Sequence, residues 1–308
     1  MKLYQGDSCD RLYINALKDC LAVNSPTPSR VGMVYDLGPV AFELTPGRLN
    51  LLTLNKRALN PFFAIAEAAW VVGGLNSLDT LNYYLKTYDS FSDDGVSLNG
   101  AYGYRLRNYF GYDQLEFVIK ELATTPDSRR CILNMYSPDD LINNTSKDIP
   151  CNTSIMIKIR NGALDFTVTN RSNDIHWGVP YNFFVFQVLH CYLAQKIGVE
   201  VGYQRHFTDS LHLYERDRAA VTEVLKHSGG VFDTESDKTL DLVYMILAEI
   251  ENINQKSFSS IQEKSLCEAY VNYEQFRCSK SLFSFENRTG NAVLDFLISD
   301  WLSKYAKE

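Results

Sequence analysis

The strongest constraint on the fold is a hairpin signal near the middle of the chain. Two β-prone segments, residues 153–160 (TSIMIKIR) and 163–170 (ALDFTVTN), are separated only by Asn161 and Gly162. Asn-Gly is the preferred two-residue hairpin turn, because both residues readily adopt the positive φ angles of a type I′ turn. The sequence therefore predicts two antiparallel neighbouring strands.

Helical signals surround this hairpin. Helices are predicted over Pro61–Val72, Asp113–Leu122 and Val179–Ile197. Asn60 and Pro61 are a typical N-cap and first helical residue, and Gly198 is a typical helix end. Residues 200–217 (EVGYQRHFTDSLHLYERD) are predicted to form another strand that leads into a polar loop. Strands mixed with separate helices indicate the α+β class.

The character of the chain changes after residue 228. Helical spacing of apolar residues recurs in residues 239–253, 265–276 and 291–305. We therefore divide the chain into a mixed domain, residues 1–228, and a helical C-terminal extension, residues 229–308, packed on it.

Composition narrows the class of protein. The chain has 308 residues, 45% of them hydrophobic, and a formal net charge of −7. That charge argues against a protein that coats nucleic acid or an anionic membrane, and no apolar run approaches the roughly 20 residues of a membrane span. Seven cysteines without CxxC pairs and five scattered histidines give no metal-ligand spacing. We expect a cytoplasmic protein with reduced thiols, no metal, and neither a nucleic-acid nor a membrane partner.

Cys151 directly follows Pro150 at the mouth of the first hairpin strand. By itself, a cysteine beside apolar strand residues is typical of a small buried side chain. Arg129, Arg130 and Arg171 flank it in sequence, however, and nearby arginines favour the nucleophilic thiolate and match the geometry of phosphate. Cys151 is therefore either a packing residue or a nucleophile beside an anion site.

Polar side chains are concentrated in residues 171–182 (RSNDIHWGVPYN), between the second strand and an apolar helix. Turn formation accounts for Asn173 and Asp174 but not for Asn182. An asparagine amide both donates and accepts hydrogen bonds, which suits the edge of a pyrimidine base that offers a carbonyl and a ring N–H.

Three more side chains have two interpretations each. His212 and Tyr214 lie two residues apart in an extended segment and so on the same side, either as partly buried strand-end rings or as ligand contacts. Glu67 is a lone carboxylate in the apolar helix 61–72. It either turns to solvent or is buried as a proton-handling carboxyl with a raised pKa.

Taken in order, these motifs resemble the thymidylate synthase family, which includes the pyrimidine nucleotide hydroxymethylases. The resemblance runs from Arg30 to Tyr214 and rests on the segments SRVGM, AEAAWVVGG, GAYGYRLR, PDSRR, PC, RSNDIHWGVPYN and DSLHLY. Each segment is weak alone, whereas the ordered set is specific. The resemblance implies that family's α+β fold, a mixed sheet with packed helices, here with an extra C-terminal helical segment.

The resemblance further implies one-carbon transfer from methylenetetrahydrofolate to carbon 5 of a pyrimidine nucleoside monophosphate, through a covalent Cys151 adduct. The implied catalytic residues are Cys151, Glu67, Tyr102, Asn152 and Asp174. The implied nucleotide contacts are Arg30, Arg129, Arg130, Arg171, Ser172, Asn182, His212 and Tyr214. The implied folate contacts are Trp70, Tyr88, Asp174 and Gly178. A homodimer is also implied, with Arg129 and Arg130 contributed across the interface.

Three departures from the methylating members favour a hydroxymethyl product slightly over a methyl product. Asn152 stands where those enzymes usually have histidine, Tyr88 and Phe91 lie near two family tryptophans, and the final segment DFLISDWLSKYAKE is unlike the family's short tail that folds over folate. Thymidylate synthase proper and a non-catalytic nucleotide-binding paralogue stay open as alternatives.

The base is also left open by the sequence. Asn182 favours dUMP, because the deoxycytidylate hydroxymethylases characteristically carry aspartate at that position. An amide flip would nevertheless offer its edge to cytosine, so dCMP or CMP remains an alternative substrate.

Overall fold

An eight-stranded mixed sheet forms the centre of the structure, a computed structural model that describes residues 1–143, 145–228, 238–279 and 288–305. The strands are β1 (Lys2–Gly6), β2 (Thr27–Ser29), β3 (Gly32–Leu44), β4 (Ile132–Asn134), β5 (Asn152–Arg160), β6 (Ala163–Asn170), β7 (Asn173–Asp174) and β8 (Glu200–Tyr214). Their order is β1-β3-β8-β6-β5-β4, with β2 beside β3 and β7 beside β8. The β1–β3, β6–β8 and β7–β8 pairs are parallel, and the other pairs are antiparallel.

Helices pack against the sheet. They are α1 (Cys9–Leu21), α2 (Pro61–Val72), α3 (Leu78–Asn82), α4 (Tyr102–Tyr104), α5 (Gln114–Thr124), α6 (Asp139–Ile142), α7 (Gly178–Ile197), α8 (Arg218–His227), α9 (Asp241–Ala248), α10 (Ile250–Asn254), α11 (Lys264–Ser279) and α12 (Ala292–Leu302). Short 3-10 segments cover Lys86–Phe91, Glu215–Asp217 and Phe258–Ser260, and a π-helical turn covers Arg105–Tyr109.

The predicted hairpin is confirmed. Strands β5 and β6 pair in antiparallel register, and the turn residues Asn161 and Gly162 have φ angles of 53° and 78°. Along β5 the inward side chains Ile155 and Ile157 are buried, whereas Met156 between them is 42% exposed. This alternation leaves the opposite face of the sheet outside the core.

The predicted helices around the hairpin are also confirmed. Helix α2 begins at Pro61, with the Asn60 side chain accepting a hydrogen bond from the Phe63 amide at 3.1 Å. Helix α7 ends before Gly198, whose φ of 81° is left-handed. The prediction of a polar loop after β8 is wrong. A 3-10 turn leads directly into α8, which buries Val221 and Val224.

The C-terminal helices pack on α2 through aromatic rings. The ring of Phe62 stacks on Tyr273 at 4.3 Å and meets Trp301 edge-on at 5.5 Å, and the Tyr270 hydroxyl donates to the Phe62 carbonyl oxygen. The predicted C-terminal helices are therefore confirmed, and they share one hydrophobic core with α2 and α7. The domain division at residue 228 stays a prediction, and Gly229, with which the extension begins, lies outside the described residues.

All seven cysteines are unpaired thiols. Across the described ranges, the helices include none that is long and apolar enough to cross a membrane. Within the same ranges, no three histidine, cysteine, aspartate or glutamate side chains gather as a metal site.

Candidate active site

Cys151 lies immediately before β5 and beside Arg171, which follows β6. The hairpin brings the two together, because it returns the chain to the starting end of β5, where the Arg171 amide donates to the Cys151 carbonyl oxygen at 2.9 Å. The guanidinium donates to the carbonyl oxygens of Pro150 and Ile149, and its Nη2 lies 3.6 Å from the Cys151 sulfur. A partly exposed thiol thus faces a fixed cation.

Burial raises the pKa of the Cys151 thiol above its ordinary value. The charges of Arg171 and Arg30 lower that pKa, and the nearby Asp148 carboxylate raises it. The sequence predicts that nearby arginines favour the thiolate, and Arg171 does lower the pKa of Cys151. Burial raises this pKa by more than Arg171 lowers it. In the free protein the proton stays on sulfur at neutral pH.

The four predicted phosphate arginines fall into two pairs. Arg30 reaches the segment before Cys151, donating to the carbonyl oxygens of Ser146 and Lys147 at 3.2 and 3.1 Å. Together with Arg171 it forms one positive cluster near the thiol. Arg129 and Arg130 are exposed just before β4, the edge strand of the sheet.

Three asparagine amides form a chain beside the thiol. The Asn152 Nδ2 donates to Asn182 Oδ1 at 3.5 Å, and Asn182 Nδ2 donates to Asn173 Oδ1 at 3.2 Å. A Cβ at position 178 would lie 2.2 Å from Asn173 Oδ1, so Gly178 leaves the room that this side chain needs. Within this chain Asn182 Oδ1 accepts and its Nδ2 donates, and these two contacts favour one orientation of its amide.

Glu67 lies on the single polar position of α2 and is partly buried. Burial raises its pKa to about 7, against the opposing effect of the Tyr88 hydroxyl, which donates to Oε1 at 3.2 Å. Its Oε2 is buried without a hydrogen-bond partner among the described residues. Of the two interpretations of Glu67, the structure agrees with burial and a raised pKa, and a role in proton transfer stays a prediction.

The Tyr102 phenol interacts electrostatically with the Cys151 thiol and the Glu67 carboxyl. Burial raises the pKa of its phenol, as do the charges of Cys151 and Glu67, whereas the Asn152 amide lowers it. Its ring stacks on Phe186 at 5.9 Å. Tyr102 is therefore coupled electrostatically to both Cys151 and Glu67.

Trp70 differs from its prediction as a folate contact. The side chain is 3% exposed in the core, and its indole N–H donates to the Ser77 carbonyl oxygen at 3.1 Å. The reason is that α2 is buried on nearly every side, so Trp70 lies in the core although it follows Glu67 by only three residues. Trp70 supports α2 from within, which argues against direct contact with a ligand.

Asp174 and the His212 side chain lie on the neighbouring strands β7 and β8, where they are register partners. Burial raises the pKa of Asp174, although its Oδ1 accepts the amides of His176 and Trp177 at 2.7 and 3.3 Å. The His212 ring meets the Tyr214 ring edge-on at 5.1 Å. His212 Nδ1 lies 3.4 Å from the Ser172 hydroxyl, so the predicted sugar contacts are one group.

Sequence reasoning missed two polar residues of the site. Asn173 was assigned to turn formation alone, yet its side-chain Oδ1 accepts a hydrogen bond from Asn182 Nδ2. Asp148, partly buried, accepts the Gly100 amide at 2.6 Å and influences the thiol. The position of Asp148 three residues before Cys151 was the only available signal.

The fold and the site together define a family, and comparison with known proteins agrees. The family model described as thymidylate synthase matches residues 12–261, and the chain belongs to that family. Thermostable thymidylate synthase A from Bacillus subtilis superposes with a TM-score of 0.60 at 23% identity, covering 70% of this chain and 84% of that one. This likeness confirms the predicted α+β, thymidylate synthase-like fold.

Curated relatives are more similar in sequence. The deoxyuridylate hydroxymethyltransferase of Bacillus phage SP01 is 37% identical over 251 residues, covering 77% of this chain and 65% of that protein. The enzyme of the same name from Pseudomonas phage M6 is 41% identical over 162 residues, 52% of this chain and 46% of that protein. The chain thus spans less than two thirds of the length of either relative.

Proposed function

We propose that this chain transfers a one-carbon unit from methylenetetrahydrofolate to carbon 5 of dUMP, giving 5-hydroxymethyl-dUMP and tetrahydrofolate with consumption of one water. The observation that carries the proposal is the placement of the Cys151 sulfur 3.6 Å from Arg171 Nη2, one residue before Asn152, at which the amide chain begins. The names of the two phage relatives support the same substrate and product.

Cys151 is proposed as the nucleophile that adds to carbon 6 of the base, which makes carbon 5 electron-rich. The thiol must first lose its proton, because burial raises its pKa. Arg171 and Arg30 oppose that effect and would also hold the 5′-phosphate as bidentate donors. The same cations therefore serve both binding and activation.

Base selection follows from the amide chain. Uracil presents an N3–H donor and an O4 acceptor, which match Asn182 Oδ1 and Nδ2 in the orientation observed. Each atom keeps capacity for one further hydrogen bond after its contact with Asn152 or Asn173. Cytosine would require the flipped amide, and the flip would break both contacts. This argument supports dUMP over dCMP.

Folate would supply the one-carbon unit, and the donor set fits it on the side of the site away from the phosphate. The Glu67 Oε2 atom is buried without a partner among the described residues, and the carboxylate of Asp174 accepts the backbone amide of Trp177, whose side chain is half exposed. With a pKa of about 7, Glu67 both holds and releases a proton near neutral pH. We assign it the proton transfers at the base and the positioning of the attacking water.

A homodimer is part of the proposal. The face of the sheet opposite the helices exposes apolar side chains on three strands: Ile132, Met156, Tyr203 and Phe207. Arg129 and Arg130 lie at the edge of this face, where they would reach a partner's phosphate site. An exposed apolar face of this kind supports association with a second copy. A cytoplasmic location stays a prediction.

The test is mass spectrometry of the products formed from dUMP, dCMP, UMP and CMP with methylenetetrahydrofolate. We expect 5-hydroxymethyl-dUMP with release of tetrahydrofolate, and no product from Cys151→Ser. Formation of dTMP with dihydrofolate would instead establish thymidylate synthase activity. Tight dUMP binding without tritium release from carbon 5 would establish the non-catalytic alternative.

A further inference from the structure

The turn Lys56–Ala58 has an unusual backbone. Lys56 and Ala58 have φ angles of 66° and 49°, in the left-handed region that residues with a Cβ seldom adopt. Such a conformation costs free energy and persists only where the surroundings hold it. The structure therefore has to contain the groups that stabilise this turn.

Asp300 on α12 supplies that stabilisation. Its Oδ1 accepts the Lys56 amide at 2.8 Å, and its Oδ2 accepts the Ala58 amide at 2.7 Å. One carboxylate thus pairs with both residues that have a positive φ, although it lies 244 residues from Lys56 in sequence. Hydrogen bonds to an ionised carboxylate are about twice as strong as neutral ones.

The turn holds Arg57 against the loop that precedes α7. The Arg57 side chain is 5% exposed, its Nη2 donates to the His176 carbonyl oxygen, and its guanidinium lies 5.5 Å from the Trp177 ring centroid. The amides of His176 and Trp177 in turn donate to Asp174. A chain of contacts therefore runs from Asp300 to Asp174.

Helix α12 is a rigid support for this chain of contacts. Trp301, adjacent to Asp300, is 2% exposed and packs against Phe62 at the start of α2. The carboxylate of Asp300 is therefore anchored on the same core that holds Glu67. Support from a packed helix is what keeps a site within the narrow geometry that binding requires.

We propose that Asp300 is a positioning residue for the folate side of the site, acting through the Lys56–Ala58 turn and Arg57 on the loop that carries Trp177. The inference rests on the proposed function for the identity of the ligand. In this proposal, α12 positions residues of the folate side in addition to covering the core.

The first test measures hydrogen–deuterium exchange of the peptide that contains residues 56–58. In Asp300→Asn one carboxylate oxygen becomes an N–H donor facing another donor, so we expect exchange to accelerate by about tenfold or more. The matched control is Asp295→Asn on the same helix, whose carboxylate instead accepts the Thr289 amide and hydroxyl at 2.7 and 2.8 Å. Exchange like that of the wild type in Asp300→Asn would overturn the inference, whether or not the enzyme turns over.

The second test measures tetrahydrofolate binding in the presence of dUMP by calorimetry. We expect Asp300→Asn to weaken folate binding by about tenfold and dUMP binding by less than about twofold, because only the folate side is displaced. A merely structural role would weaken both ligands together. Arg57→Ala should produce a similar loss, and the double variant should bind no more weakly than Arg57→Ala alone, because both substitutions break one pathway.

Unchanged folate affinity in Asp300→Asn, despite faster exchange, would also overturn the inference. Failure of the proposed function has a different signature. In that case the wild-type protein forms no 5-hydroxymethyl product, while the exchange comparison still decides whether Asp300 holds the turn.

Discussion

The two sides of the candidate site are built in different ways. Apart from Arg30, the proposed nucleotide side consists of residues from a short stretch of chain and one neighbouring strand: Cys151, Asn152, Arg171, Asn182 and His212. The folate side consists of residues from distant segments: Arg57, Glu67, Tyr88, Asp174 and Asp300. The first is assembled by a hairpin and the helix that follows it, and the second by packing of α2, α12 and the loop before α7.

This difference predicts how each side responds to substitution. On the nucleotide side, Asn152, Arg171 and His212 lie in or directly after sheet strands, so a substitution there is expected to remove a contact or a reactive group with little movement of the backbone. Residues on the folate side are fixed by a few side-chain contacts across long sequence distances, so their loss displaces the geometry. Four substitutions sharpen or break this contrast.

The largest effect is expected from Cys151→Ser. A serine hydroxyl is far less nucleophilic than a thiolate, so turnover should fall by at least about a thousandfold. Binding of dUMP, measured by calorimetry, should change by less than about threefold, because the phosphate cluster and amide chain remain. Cys278→Ser, at an exposed thiol, is the control and should retain full activity. Residual turnover above a tenth of the wild-type rate would exclude Cys151 as the nucleophile.

Glu67→Gln should reduce kcat by about a hundredfold or more, because a neutral amide cannot transfer a proton. It should also remove an ionisation near pH 7 from the pH–rate profile. Tyr88→Phe is the matched variant. It deletes the hydrogen bond that lowers the Glu67 pKa, so the ionisation should move to higher pH and remain visible. A profile unchanged by both substitutions would assign the ionisation to another group.

The raised pKa of Glu67 also makes the free energy of unfolding depend on pH. Because the pKa of Glu67 rises from 4.5 to about 7 on folding, the folded state binds more protons between these values. The free energy of unfolding therefore falls as pH rises through this window. Glu67→Gln lacks this penalty and should be more stable than the wild type at pH 8, by about 1–3 kcal/mol in urea denaturation, with the difference vanishing near pH 4.

Asn182→Asp should move the base preference from dUMP toward dCMP. A protonated carboxyl donates to cytosine N3 and accepts from its amino group, whereas uracil meets a mismatched edge. The ratio of kcat/KM values should change by about a hundredfold. Asn182→Ala, which removes both contacts, should lose activity on both bases. A preference for dUMP that survives in Asn182→Asp would locate base selection elsewhere.

The smallest effect is expected from Asn152→Ala. Without its donor, Asn182 loses one of the two contacts that fix the amide, so discrimination against dCMP should weaken by about threefold to tenfold. The control is Asn170→Ala, a buried partner of Asn152 across the β5–β6 ladder that donates to Thr208 instead. Equal loss of discrimination in both variants would show a general packing effect and argue against a role in orientation.

Much of the nucleotide side could be predicted from the sequence. The Asn161-Gly162 turn fixes the hairpin register, and that register places Arg171 beside Cys151 without further information. Polar residues between a strand and an apolar helix likewise pointed to Asn182. Its partner Asn173 was missed, because turn formation is a sufficient local reason for an asparagine at that position. Only the fold brings its side-chain Oδ1 to Asn182.

The folate side was harder to predict. The sequence marked Glu67 as unusual but gave two interpretations, since burial of one helical position depends on every element packed around α2. Trp70 was assigned to a ligand, but it lies in the core. No sequence motif marked Arg57 or Asp300. Asp300 accepts two backbone amides that are distant in sequence, and such a contact leaves no repeating pattern along the chain.

By itself the sequence determined the hairpin and the helices on either side of it, and it singled out Cys151 and Arg171, which the hairpin brings together. These features depend on turn preference, capping and alternation, which act over a few residues. Tertiary structure alone decided the pKa of Glu67, the orientation of the Asn182 amide and the link from α12 to the folate side. The physical reason is that desolvation and hydrogen bonding depend on which groups meet in space, and those groups lie up to 244 residues apart in the chain.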